Sequence, residues 1–151
     1  MRITVESGSA VRIILFLSMR GLGVKTGAKM VSENEHIPIR FTLKILRKLK
    51  IAGLVCSYRG QSGGYALIKE PKDITLREVI EIIDGPIVMN KCLGTSGLCE
   101  LNRTAVCPVH FYLGGIQKQI SQQLDEVNFQ MLMDKYQANK EDIISHIQGL
   151  E

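Results

Sequence analysis

The stretch from Pro38 to Leu67 constrains the fold more than any other part of this 151-residue chain. From Pro38 to Ala52, apolar residues (Phe41, Leu43, Ile45, Leu46, Leu49, Ile51) interleave with Arg40, Thr42, Lys44, Arg47, Lys48 and Lys50. Proline is tolerated in the first helical turn and glycine ends helices well, so the spacing predicts a helix from Pro38 with Gly53 as its C-terminal cap. Leu54-Val55-Cys56-Ser57-Tyr58 and Tyr65-Ala66-Leu67-Ile68 have strand composition. The glycine-rich Arg59-Gly60-Gln61-Ser62-Gly63-Gly64 between them reads as a hairpin loop, and Pro71 ends the unit.

Upstream, residues 7–20 read as a helix capped by Ser7 or Ser9, with Val11, Ile14, Leu15 and Met19 on one face. Gly21-Leu22-Gly23 stops it, and residues 24–34 form a weaker helical segment that Thr26 can cap. Two helices, a basic helix and a glycine-tipped hairpin make a winged helix-turn-helix. Downstream, Thr75 with Glu78 three residues on is a capping-box pattern, and Asp84-Gly85-Pro86 breaks the helix it starts. Residues 90–107 are irregular. From Pro108 to about Tyr136 the periodicity predicts one long helix. Ile116, Ile120, Leu124, Val127 and Met131 step along it by four, four, three and four, a seam suited to a dimer interface or to packing on the chain's own core. A short amphipathic helix from Asn139 to Leu150 closes the chain. The expected organisation is a mainly α chain with a small β-hairpin wing: a DNA-binding domain over 1–86, a loop over 87–107, and a dimerisation helix with its tail over 108–151.

Hydrophobic residues make up 45% of the chain, enough for a core and too many for disorder. No apolar run reaches the roughly 18 residues that span a bilayer. The best candidate, Ala10 to Met19, contains Arg12. A cytoplasmic protein without a membrane partner is expected. The net charge of +4 is unevenly divided. Residues 1–70 carry twelve Lys and Arg against four Asp and Glu, whereas residues 71–151 carry seven against eleven. Arg40 to Arg59 holds six basic residues and no acid.

Such a concentration suits a polyanion, and a helix of this size fits the major groove of duplex DNA, where base edges are distinguishable. The candidate DNA contacts are Arg40, Thr42, Lys44, Arg47 and Lys48 on the helix, with Arg59 and Gly60 at the hairpin tip. The alternative is a solvated basic face. Cys56 stands alone in an apolar run and reads as a small buried hydrophobe, while Cys92, Cys99 and Cys107 fall close together. A cytosolic chain seldom keeps disulfides, and three clustered thiols leave one unpaired among themselves, so metal or iron–sulfur ligation is the better default for the trio. His36 reads as a turn residue and His146 as part of a solvated tail. No paired carboxylates, Walker loop or nucleophile elbow suggest an enzyme.

Met1-Arg2-Ile3-Thr4, Ala52-Gly53-Leu54-Val55 leading into Ser57-Tyr58-Arg59-Gly60, Gly63-Gly64-Tyr65-Ala66-Leu67, and Ile74-Thr75-Leu76-Arg77-Glu78-Val79-Ile80 running to Asp84-Gly85-Pro86 together resemble the Rrf-type winged-helix regulators, the family of IscR, NsrR and CymR. The resemblance covers residues 1 to about 135. It implies a homodimer that binds a double-stranded DNA operator and pairs through a long C-terminal helix. In the metal-bearing branch, three cysteines before that helix hold an iron–sulfur cluster, and Cys92, Cys99 and Cys107 stand in those places. IscR-like members add a histidine three residues after the last cysteine, as Cys107-Pro108-Val109-His110 does. NsrR-like members take an acid near the N-terminus of the partner subunit; position 8 here is Gly8, and Glu6 is the nearest acid.

The resemblance thus implies a cluster, of the two-iron type first with the four-iron type open, held by Cys92, Cys99, Cys107 and His110. Cluster supply, iron, oxidants or nitric oxide are the variables it could sense. A zinc ion uses the same ligand set. The second reading is a metal-free or zinc-stabilised repressor of the same fold, CymR-like, controlled by a protein or metabolite partner.

Overall fold

The structure, a computed structural model, describes residues 3–97 and 99–148, the side chains of 143–148 excepted. Its first helix, α1 (Val5–Arg20), begins before the expected serines. Thr4 is the N-cap, its Oγ1 accepting the Ser7 N–H at 3.2 Å. Ser7 and Ser9, the expected caps, are instead buried inside the helix. The stripe that enters the core is Ala10, Ile13, Ile14 and Leu17, spaced three, one and three apart. Of the expected face only Ile14 is fully buried; Val11 and Leu15 flank the core and Met19 is exposed.

Helix α2 (Ala28–Glu35) and helix α3 (Ile39–Ile51) form the helix-turn-helix. Between them His36 takes φ +50°. The Ser32 hydroxyl donates to the Ile37 carbonyl at 2.6 Å, which ties α2 to the turn. Thr26 does not cap α2, which starts after Gly27. Its backbone exchanges both hydrogen bonds with Tyr65, each 2.8 Å, and so extends the hairpin. That hairpin pairs β1 (Val55–Tyr58) with β2 (Gly64–Leu67) antiparallel, with Val55 opposite Leu67 and Tyr58 opposite Gly64. A Cβ on Gly64 would lie 2.6 Å from the Thr26 carbonyl oxygen, so this close approach requires glycine. Cys56, expected to be buried, is half-exposed on the wing.

Helix α4 (Leu76–Asp84) is capped by Thr75, whose Oγ1 accepts the Glu78 N–H at 3.1 Å. Only half of the capping box forms, because the Glu78 carboxylate turns away to pair with Lys69. Helix α5 (Pro108–Glu126) and helix α6 (Phe129–Gln148) replace the single helix expected over Pro108 to Tyr136. At the break, the Leu76 N–H donates to the Val127 carbonyl at 2.9 Å and the Phe129 N–H to the Ile74 carbonyl at 3.0 Å. The Asn128 side chain accepts the Met131 N–H at 3.0 Å and starts α6. The seam is therefore not continuous. Ile116 and Met131 are exposed and Ile120 half-buried; Leu124 turns to Ile3, Ile80 and Ile87, and Val127 sits in the break. α6 continues through the expected tail to Gln148; the side chain of His146, and Leu150, lie outside the described residues.

The core gathers α1, α3, α4, the hairpin and the start of α6 around Ile13, Ile14, Leu17, Ile45, Leu46, Leu49, Val79 and Phe129. Among the described residues, no helix is long and apolar enough to cross a membrane. Phe129 is 0% exposed and anchors α6. Phe129→Ala is expected to lower stability by about 3–5 kcal/mol, read as a shifted urea midpoint. An unchanged midpoint would mean that α6 does not depend on this anchor.

Candidate nucleic-acid interface and cysteine cluster

The outer face of α3 presents Arg40, Leu43, Arg47 and Lys50, spaced three, four and three apart, with Lys44 beside them. This is one exposed stripe along a helix whose opposite side, Ile45, Leu46 and Leu49, is sealed in the core. Thr42 is not part of the stripe. It is 0% exposed, and its hydroxyl donates to the Ile37 and Pro38 carbonyls at 3.3 Å. A threonine that bonds back to the preceding turn satisfies itself locally, so Thr42 holds the helix start instead of reaching bases.

Two of the candidate lysines already have an anionic partner. Glu6 of α1 lies 2.8 Å from Lys44 Nζ and 2.7 Å from Lys48 Nζ. Hydrogen bonds from Lys44 and then Lys48 hold its carboxyl below the usual carboxylate range. Lys48 also donates to the Ile83 carbonyl at 3.4 Å, so it ties α3 to α4. Lys44 remains on the exposed face.

The wing adds a second cationic edge. Arg59 and Gly60 are exposed at its tip, where Gly60 takes φ +99°. A Cβ on Gly63 would collide with the Tyr58 carbonyl oxygen, so the tip is tight as well as glycine-rich. Where β1 runs into the tip, Lys25 Nζ sits 4.4 Å from the centre of the Tyr58 ring, a cation–π contact. The linear sequence offers no sign of this pairing, because Lys25 precedes α2 and Tyr58 ends β1.

The cysteine loop follows α4 and leads into α5. Lys91–Leu93 forms a short 3-10 turn carrying Cys92, and Cys107 is the N-cap of α5. His110 follows one turn into α5, and its Nδ1 lies 3.4 Å from Cys92 Sγ. Cys92, Cys99, Cys107 and His110 all line one cavity of about 300 Å³, with Glu100 at its edge. All three thiols are free and half-buried. The backbone N–H groups of Arg103, Leu101 and Asn102 hold the Cys99 thiol below its usual range, against burial and the charge of Glu100. Among the described residues, no three His, Cys, Asp or Glu side chains are drawn close enough to grip one metal ion. The donors rim the cavity without converging on one point.

α5 has two contrasting faces. Cys107, His110 and Gly114 turn toward the loop, where a Cβ on Gly114 would lie 3.3 Å from Leu93 Cδ2. Phe111, Tyr112 and Ile116 stand 74%, 70% and 44% exposed, and no residue of the helix is fully buried.

Comparison with known proteins agrees with this architecture. A family model named Rrf2, described as an iron-dependent transcriptional regulator, matches residues 3–135. An rrf2-like HTH-type regulator of Rhodobacter capsulatus is 49% identical over 66 residues, 44% of each chain. The HTH-type regulator IscR of Aliivibrio salmonicida is 29% identical over 133 residues, 88% of this chain and 77% of that one. Among solved structures, CymR, the global cysteine regulator of B. subtilis, aligns with TM-score 0.74 at 23% identity, over 89% of this chain and 98% of its own. IscR of T. potens aligns with TM-score 0.68 at 19% identity, over 90% and 88%. The helix-turn-helix, its basic outer stripe, the wing and this match over nearly the whole length make the chain a member of the Rrf2 family of winged-helix, DNA-binding transcriptional regulators, which are not enzymes.

Proposed function

We propose that this chain is a homodimeric regulator whose operator affinity depends on an iron–sulfur cluster held by Cys92, Cys99, Cys107 and His110. The observation that carries the reading is the single cavity that all four donors line, although they are spread over residues 92–110. Thiolates are soft, strong ligands for iron, and an imidazole in place of a fourth thiolate alters the charge and potential of the site. A cluster bound there supplies a redox-sensitive centre. The chain's own residues supply the coupling. Cys107 and His110 belong to the first turn of α5, so gathering the four donors fixes where that helix starts and how it is rotated. The opposite face of the helix offers Tyr112 and Ile116, flanked by Phe111, to a second copy. The two α3 stripes of a dimer must match half-sites about one helical turn apart, so the setting of α5 sets DNA affinity.

The metal-free or zinc-stabilised alternative draws on the spread of the donors and on the fold likeness to CymR. An anaerobic visible spectrum with iron and sulfide analysis separates the readings. Iron and sulfide in equal amounts with a visible chromophore are expected, lost in Cys92→Ala, Cys99→Ala and Cys107→Ala, weakened in His110→Ala, and retained in Cys56→Ser. A colourless protein, or a chromophore surviving in Cys99→Ala, contradicts this ligand assignment.

On the DNA side, Arg47→Ala and Arg59→Ala are each expected to weaken operator binding by about 1–3 kcal/mol if they reach a base edge or a narrow groove. Glu6→Gln is expected to act in the opposite direction, because it frees Lys44 and Lys48 for phosphates and steepens the fall of affinity with salt. Titration of an operator fragment by fluorescence anisotropy at several salt concentrations reads both effects. Unchanged binding in both arginine variants would move the interface elsewhere.

For the dimer, Ile116→Glu places a charge on the apolar face of α5, at a cost of several kcal/mol if that face is buried between subunits. Sedimentation velocity is expected to show a folded monomer. A dimeric Ile116→Glu protein would place the contact on another surface.

A further inference from the structure

The loop that carries Cys92 is held by more than its own turn. Helix α5 repeats a stripe toward it: Cys107, His110, Gly114 and Gln117, spaced three, four and three apart. The first two face the cavity, and Gly114 leaves room for Leu93. The fourth is a side-chain amide. Gln117 Oε1 accepts the Met89 N–H at 2.9 Å, and Gln117 Nε2 lies 3.5 Å from the Leu93 carbonyl that accepts from it. Those two backbone groups bracket the 3-10 turn Lys91–Leu93, in which Cys92 sits.

We propose that Gln117 is the positioning residue of the cysteine loop, its amide clasping the backbone on both sides of Cys92 and holding that thiol against His110. The chemistry of the position is selective. A backbone N–H needs an acceptor and a backbone carbonyl needs a donor. A glutamine amide supplies both at the required reach, an ionised glutamate supplies only the acceptor, and leucine supplies neither. Further along the loop's entry, the Ile87 N–H donates to the Glu81 carboxylate of α4 at 3.3 Å. The loop is thereby registered first to α4 and then, through Gln117, to the helix that carries Cys107 and His110. Ligands on two segments keep a common geometry only if the segments are fixed relative to each other, and outer partners of this kind orient the groups that bind the metal. The clasp rests on the cluster reading for its purpose, but its geometry is read without any metal.

The test compares Gln117→Leu and Gln117→Glu with the parent in the full-length chain, first without metal and then after anaerobic loading with iron and sulfide. In metal-free Gln117→Leu, amide exchange at Met89 and alkylation of Cys92 by iodoacetamide should each rise about fivefold, the change expected for one lost hydrogen bond. Alkylation of Cys56 on the distant wing is the internal reference and should stay constant. In Gln117→Glu the acceptor remains, so Met89 exchange should return to within about twofold of the parent, a rescue that a general loosening of α5 cannot give. In the loaded protein, the visible circular dichroism should change and bleaching by a chelator should quicken about fivefold in Gln117→Leu. Parent-like Met89 exchange and Cys92 alkylation in Gln117→Leu overturn the clasp, whether or not a chromophore forms. A parent that takes up no chromophore counts against the cluster reading alone, because the metal-free measurements still decide the role of Gln117.

Discussion

Two backbone hydrogen bonds hold this architecture together: Leu76 N–H to the Val127 carbonyl and Phe129 N–H to the Ile74 carbonyl. They form where the chain leaves α5 and enters α6, and they seat Phe129 in the core built by α1 and α4. Without them the stretch after Cys107 would be free to run on as one helix, detached from the DNA-reading head. With them, α6 becomes part of that head, and α5 is fixed at its C-terminal end beside α4. The salt bridge from Arg77 to Asp125, 2.8 Å, reinforces the same junction from the side chains. Half-exposed ion pairs contribute little, about 0–1 kcal/mol, so the buried ring and the backbone pairs dominate.

On the cluster reading proposed above, a helix fixed at one end and ligated at the other would act as a lever. The N-terminal turn of α5 carries Cys107 and His110, and the glycine at 114 lets the cysteine loop lie close against it. The opposite face carries aromatic and aliphatic side chains that water does not favour. On the same proposal, what happens in the cavity would be felt on the face offered to a second copy. The charge pattern serves the same division. Twelve of the nineteen basic residues lie within residues 1–70, on the head and wing, and the acidic excess lies beyond residue 70.

Much of the head is legible in the sequence because its signals are local. Gly53 marks the end of α3, and Thr75 marks the start of α4. Arg59 to Gly64 mark the hairpin, each through a conformational preference acting over a few residues. The departures have causes that apolar periodicity does not carry. Thr42 looks like an outward polar residue because periodicity alone does not reveal that its hydroxyl is satisfied by the preceding turn. That Lys44 and Lys48 share Glu6, on another helix, is invisible in the linear sequence. The break at Val127 is hidden because the apolar steps on either side keep helical spacing through it. The one local sign, Asn128 as a cap, is weak without the pairing to Ile74 and Leu76. The family resemblance implies a ligand set, but only the fold brings Cys92 within reach of His110 and a glutamine seven residues further on.

The central claim is that the state of the cysteine cavity governs DNA binding through α5. The most direct measurement is operator affinity of the iron–sulfur-loaded and metal-free protein at one fixed salt concentration, alongside affinity for an unrelated duplex. The account predicts that operator affinity differs between the two forms while affinity for the unrelated duplex, carried by phosphate contacts from α3 and the wing, stays the same. Equal operator affinities for the two forms would contradict it and reduce the cavity to a structural element.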